Sequence, residues 1–420
     1  MISKKRFAVV FALALCVSLA GEGKTQELRK EGKYWIGEIH KTFKAAKGGS
    51  LVMEDIRGDV TIQVWEKDEV TIHEIKKMDI FTQSEAEAAM KESATGYIQQ
   101  GNTIQVGGPA FDRKWIQSTF DIYVPVEFNC NIETQGGDLS ITGLKGNAEA
   151  STGGGDITLS TIHGIVHVKS GGGDIHIDKT TNEVTAKTGG GDVEVMDSQG
   201  PIRVSTGGGD VTITNTKDLV DVSTGGGDIQ IKETQGGINV KTGGGEIEIE
   251  NANGNVSVKT GGGEINIRNI KGNFQALTGG GSIQARTVMG ILSVKTGGGE
   301  VELSDIQGSI NVSTGGGDIS AEVTLKDFSI DHRVDIQTGG GDIDLTLPEK
   351  IPATIQAEIK YNRRSWEEYE ITSDFPLQIT TKEEDSRYRI IRAAGDINGG
   401  GDLIKMKTGG GNIRIRKLRQ

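Results

Sequence analysis

Residues 206–228 read TGGGDVTITNTKDLVDVSTGGGD. The same Thr-Gly-Gly-Gly-Asp opens and closes the stretch, and between the two copies Val211, Ile213, Val220 and Val222 stand at alternate places. With the residue after the glycines as a phase marker, the motif recurs at Asp138, Asp156, Asp174, Asp192, Asp210, Asp228, Glu246, Glu264, Ser282, Glu300 and Asp318, every step being 18 residues. Repetition at a fixed period signals a stacked architecture in which each unit buries its apolar face only against its neighbours.

Within each unit the apolar side chains alternate. Ile157 and Leu159, Ile175 and Ile177, or Ile229 and Ile231 stand one and three places after the marker. Val166 and Val168, Ile202 and Val204, or Val256 and Val258 stand ten and twelve places after it. A period of two means short strands with one face in and one face out. Most units carry a second turn at a glycine eight places after the marker, such as Gly146, Gly164, Gly200 and Gly254. Two strands and two turns make one coil. The expected fold is therefore all-β, a parallel β-solenoid (β-helix) of 18-residue coils with two short strands each and an irregular β-rich N-terminal cap. Stacked coils lie about 4.8 Å apart. At the triple-glycine turn, glycine is expected to supply both left-handed backbone and close approach between coils. The same parity points Thr152, Thr188, Thr206 and Thr242 inward or to the turn, where their hydroxyls can satisfy turn backbone groups or stack as a ladder.

Composition agrees. The chain holds 63 glycines in 420 residues but 6 prolines and 5% aromatics, so its apolar content is that of a narrow, aliphatic interior. The net charge of −12 argues against a nucleic-acid partner. Lys4, Lys5 and Arg6 precede an apolar run from Phe7 to Leu19 that is too short to span a bilayer. Residues 1–20 are thus expected to be a signal peptide cleaved between Ala20 and Gly21, leaving no transmembrane span and an exported chain in the periplasm, outer envelope or medium. Leu13-Ala14-Leu15-Cys16 has the outline of a lipid-attachment box, although the bulky Leu15 departs from it. Cys130 is the second of two cysteines, and between Phe128 and Ile132 it reads as core packing rather than catalysis.

The remaining boundaries follow from where the period fails. Residues 21–44 are expected to be a linker, 45–130 a β-rich cap continuous with the coils and interrupted by a helix near Ser84 to Thr95, and 131–347 the regular solenoid. Residues 348–420 form an irregular segment and the final coils. After Asp318 the next marker, Asp342, is 24 residues on. The terminal Ile413-Arg414-Ile415-Arg416-Lys417 is expected to be a cation-guarded edge strand.

Gly58-Asp59-Val60 followed by Val64-Trp65-Glu66-Lys67-Asp68-Glu69-Val70, the entry Asp121-Ile122-Tyr123-Val124-Pro125, and the exit Thr338-Gly339-Gly340-Gly341-Asp342-Ile343-Asp344-Leu345-Thr346-Leu347-Pro348 resemble the putative adhesin family, domain of unknown function 4097. The resemblance covers roughly residues 45–418. It implies an exported β-solenoid protein of the bacterial envelope with no established catalytic residues, and adhesion as the suggested role. This chain departs from the family in the regularity of its triple-glycine array.

Three kinds of chemistry are candidates. The acids Asp138, Asp156, Asp174, Asp192, Asp210 and Asp228 stack as a ladder that could associate with calcium, the one cofactor the sequence suggests. The column's change to Glu and its Ser282 fit a fixed calcium cage poorly, and acids bonded to turn amides are the simpler reading. Lys187, Lys241, Lys259 and Lys295, five places before their acids, could offset the repulsion. His163, His167 and His176 fall at different phases and form no stacked metal site. Arg363, Arg364, Trp366 and Tyr369, with Glu367 and Glu368 beside them, form a patch that could meet a partner or, in a carbohydrate-active β-helix, a polysaccharide. The expectation is a non-enzymatic adhesin-like or scaffold protein whose partner is an envelope protein or surface glycan. Calcium-binding repeat protein and carbohydrate-active enzyme are the alternatives, and end-to-end self-association stays open.

Overall fold

The computed structural model describes residues 27–108, 115–362, 368–383 and 387–419. Nearly every element is a strand, and the solenoid expected from the period is present. The coil strands Ile157–Ile162, Ile175–Thr180, Val193–Ser198 and their successors pair in parallel with an 18-residue offset to make a first sheet. Val166–Ser170, Val184–Thr188, Ile202–Thr206 and the rest make a second. Like residues stack, so Ile157, Ile175, Val193 and Val211 form one column. The two sheets face each other across an aliphatic core in which Ile157, Leu159, Val166 and Val168 are all buried.

The first strand of each coil holds a feature that alternation hides. Five places after the marker, Thr161, Lys179, Asp197, Asn215, Glu233, Asn251, Asn269, Thr287 and Asp305 adopt φ between 53° and 59°. This left-handed residue bends the strand and turns the next side chain inward again. Ile162, Ala252, Ile270, Val288 and Ile306 fill that third position with apolar groups. In four successive coils it is polar instead: Thr180 donates to Ser198 at 2.9 Å and Thr216 to Thr234 at 3.3 Å. Pairing buried hydroxyls across coils avoids the cost of leaving them unsatisfied.

The glycine expectation needs correcting. None of the triplets from Gly153 to Gly341 takes a positive φ; close approach alone demands them. A Cβ on Gly153 would stand 2.1 Å from the Gln135 carbonyl oxygen and one on Gly155 2.3 Å from that of Gly137, while one on Gly154 would meet nothing within 4 Å.

At the N-terminal end, Gly49–Ile56 and Gly58–Trp65 form the first coil, under Phe128–Thr134 and Leu139–Thr142. Beyond it Ile116–Pro125 pairs in parallel, and then Glu69–Met78 and Tyr34–Lys44 run antiparallel, with Glu27–Glu31 outermost. Residues 27–44 are therefore sheet, not the linker expected for 21–44. Trp35 and Ile36, adjacent in sequence, are both buried, which masks the alternation. The helix runs from Gln83 to Glu92, opened by a Thr82/Glu85 capping box. Its Ala86, Ala89 and Met90 pack on Trp35 and Met78.

At the other end, spatial and sequence order part. The last coil in sequence, Asp402–Thr408 and Ile413–Lys417, stacks directly on Val334–Thr338 and Ile343–Leu347. Ala353–Asn362 and Ile371–Ser373 lie outside it. Ile413–Lys417 is thus paired on both sides and is not the edge strand its cations suggested. Arg414 and Arg416 instead reach Asp344 on the neighbouring strand at 3.5 and 3.3 Å. The longer step between Asp318 and Asp342 is absorbed between Ile319–Val323 and Val334–Thr338, and the stacking resumes in register. The outermost strand at the N-terminal end, Glu27-Leu28-Arg29-Lys30-Glu31, is mostly charged, an arrangement that discourages edge-to-edge pairing.

Candidate binding surface

The triple-glycine turn is a hydrogen-bonding device. Thr206 Oγ1 donates to the Gly191 carbonyl of the preceding coil at 2.9 Å and accepts from the Gly209 amide at 3.2 Å. The same pair of bonds recurs at Thr152, Thr224, Thr242 and Thr314. The acid joins coils on the outside. Oδ1 of Asp138, Asp156, Asp174, Asp192 and Asp210 each accepts the backbone N–H of the next coil's aspartate at 2.8 Å. Asp228 does the same for Glu246 at 2.7 Å. Across Glu246, Glu264, Ser282 and Glu300 no such bond forms among the described residues, and the ladder resumes from Asp318 to Asp342 at 2.8 Å. Glutamate is a methylene too long to close the same short ring, and serine offers no carboxylate. The lysines named above make no ion pair with the ladder among the described residues. With one oxygen of each aspartate committed to an amide, the ladder supports the turn reading.

The other expected site residues scatter. Cys16, Ala20, Gly21, Arg363, Arg364, Trp366 and Glu367 lie outside the described residues. Tyr369 is half-buried and packs edge-on against Tyr361, ring centroids 5.0 Å apart, so it serves the end of the solenoid; Glu368 is exposed. His167 stacks beside Thr185 and His176 beside Thr158, as their phases require; on its other side His176 Nδ1 lies 2.8 Å from Glu194 Oε2. Cys130 is buried, and burial pushes its thiol up to about 12, which suits packing and opposes nucleophilic use.

The regular, polar outer face follows from the repeat; what the sequence did not disclose is that the outer face of the first sheet runs on into the non-repeating N-terminal cap. Outward side chains line up in one column by register, from His40 through His73, Asp121, Thr61, Ser140 and Thr158. The column continues through His176, Glu194 and Thr212 down the regular coils. At its N-terminal end the face hollows into a groove of about 520 Å³ lined by His40, Thr61, Thr71, His73, Asp121 and Tyr123. Trp65 and Tyr123 stack beside it with centroids 5.2 Å apart, and the Lys67 ammonium lies 4.3 Å over the Trp65 ring. Neighbouring strands that are remote in sequence build this groove, so no local pattern announces it.

The architecture defines a capped parallel β-solenoid with a polar outer face and a shallow groove at one end. Within that class the chain belongs to the Toastrack family, DUF4097, whose pattern matches residues 49–237, 166–289 and 232–398. No curated protein matches the sequence. Two solved structures are similar. One, a putative cell adhesion protein of Clostridium sporogenes ATCC 15579, is 9% identical, with 91% of this chain and 99% of that one covered and a TM-score of 0.16. The other, a putative adhesin of Parabacteroides distasonis ATCC 8503, is 14% identical, with 63% and 96% covered and a TM-score of 0.28. Among the described residues no helix is long and apolar enough to cross a membrane.

Proposed function

We propose that this chain is an exported, non-enzymatic, adhesin-like envelope protein that binds a surface glycan or envelope protein through the outer face of its first sheet. The observation that carries the reading is the groove at the N-terminal end, where the stacked Trp65 and Tyr123 rings stand beside the polar Thr61, Thr71 and Asp121. Flat aromatic faces next to hydrogen-bonding groups suit an extended polar ligand, and aromatic anchors dominate most binding surfaces. The leader-like residues 1–20 support export. The ladder acids support a structural rather than a catalytic role, because Oδ1 of each linked aspartate is tied to the next coil's amide.

The test is binding of the mature protein to glycan arrays and to isolated envelope fractions, with Trp65→Ala and Tyr123→Ala beside the parent. Binding that both substitutions weaken at unchanged fold supports the proposal. Binding indifferent to both, or polysaccharide cleavage by the purified chain, overturns it.

A further inference from the structure

At the rim of the groove three side chains converge that the binding proposal does not need. Glu38 and His40 stand two residues apart on Tyr34–Lys44 and so face the same way; the antiparallel register sets His73 directly opposite His40. The two imidazoles stack with centroids 4.1 Å apart and planes 10° from parallel. Both present Nε2 to the same carboxylate oxygen, Glu38 Oε2, at 3.3 Å from His73 and 3.7 Å from His40. One ligand atom from each residue lies within 4.8 Å of the others. The second Glu38 oxygen, Oε1, is held by Arg29, whose hydrogen bond is the main reason the carboxyl sits below its ordinary range.

A hydrogen bond accounts for the His73–Glu38 side of this triangle, but the 3.7 Å from His40 lies beyond one. An ion at its centre needs the rings to turn out of their parallel stack so that the in-plane Nε2 lone pairs converge, a rotation the exposed His40 has room for. Tetrahedral zinc, with nitrogen and oxygen ligands about 2.0–2.2 Å away, holds those atoms about 3.3 Å apart. We propose that Glu38, His40 and His73 form a binding site for a divalent transition-metal ion, with zinc the best fit. Two imidazoles and one carboxylate favour zinc, copper or nickel over calcium or magnesium, which prefer all-oxygen shells. Arg29 fixes the carboxylate from behind, as an outer-shell partner does in metal sites. His40 is exposed, so the remaining coordination positions open to solvent and the groove.

The site is independent of the partner proposed above and is tested on the purified, tag-free chain with zinc alone. Calorimetric titration is expected to show one zinc per chain, and cobalt(II) a tetrahedral visible absorption band that zinc abolishes. His40→Gln and His73→Gln should each weaken zinc binding at least about tenfold. Glu38→Gln, which keeps the side-chain shape, should weaken it too. His176→Gln, further down the same face and paired with Glu194 outside the triangle, should leave it unchanged. Zinc should raise the melting temperature of the parent, reversibly with chelator, and not that of His40→Gln/His73→Gln. Absence of zinc heat and of a cobalt band in the parent overturns the proposal, as does zinc binding that survives the double substitution.

Discussion

The stacking of triple-glycine turns makes a demand that one coil can test. At Gly207 an added Cβ would lie 2.1 Å from the Gly189 carbonyl oxygen, and at Gly209 2.1 Å from the Gly191 oxygen and 2.4 Å from its carbon, whereas at Gly208 it would meet nothing within 4 Å. Ordinary contact begins near 3.4 Å, so alanine at either outer position must push neighbouring coils apart by about 1 Å. In Gly209→Ala that displacement strains three bonds at once: Thr206 to the Gly191 carbonyl, Gly209 to Thr206, and Asp210 to Asp192. At about 0.5–1.5 kcal/mol each, with overpacking of about 1–3 kcal/mol, the expected loss is roughly 3–7 kcal/mol. Gly207→Ala should cost somewhat less, because one atom there lies within 3.0 Å of the added Cβ and three do at Gly209. Gly208→Ala has neither a clash nor a left-handed φ and should be neutral or stabilising by about 0.4–1 kcal/mol, through the unfolded chain. Urea denaturation followed by far-ultraviolet circular dichroism measures the series, and hydrogen exchange in the flanking strands shows whether damage is local. Equal losses at 207, 208 and 209, or a harmless Gly209→Ala, would refute close stacking as the reason for the triplet.

Three further expectations rest on other contacts. Asp192→Ala should lose about 1–2 kcal/mol by freeing the Asp210 amide, while Glu264→Asp, restoring a ladder link toward Ser282, should gain a fraction of that; paired urea curves decide both. Asp305 accepts from Thr324 first of all, then Gln307 and Thr287, which hold its carboxyl below the usual 3.8. A lowered folded value means its stabilisation is complete above the unfolded value and lost as pH falls below about 3.8 toward the folded one, so acid titration of Asp305→Asn should show a shallower decline than the parent. Glu74 and Lys76, both buried, pair at 3.2 Å, and Glu74 also accepts from Thr95. Glu74→Leu alone should cost about 3–5 kcal/mol by leaving the buried ammonium with only the neutral oxygens of Ser93, and Glu74→Leu/Lys76→Met should recover part of it, the Thr95 and Tyr97 hydroxyls still lacking the carboxylate; a double-mutant cycle by urea melt is the check.

By itself the sequence determined the coil: its period, its two turns, the inward Val and Ile columns, the inward threonine and the outward acid. All of these depend on residues within one 18-residue unit or on the same residue one unit later, so a local pattern suffices. The third inward position escaped that reading, because a left-handed residue at 179, 197 or 215 resets the parity and the next side chain is Thr180, Ser198 or Thr216, which sequence alone presents as polar surface. Only the tertiary structure decided the ends. Antiparallel returns bring Tyr34–Lys44 against Glu69–Met78, and the last coil inserts beneath strands that precede it in sequence. Sheet pairing there is chosen by which backbone edge remains unpaired and which apolar face remains uncovered, and both are properties of the assembled stack. The Trp65–Tyr123 groove and the Glu38–His40–His73 triangle lie in that non-repeating cap. Their residues meet across strands more than thirty positions apart, and no periodicity connects them.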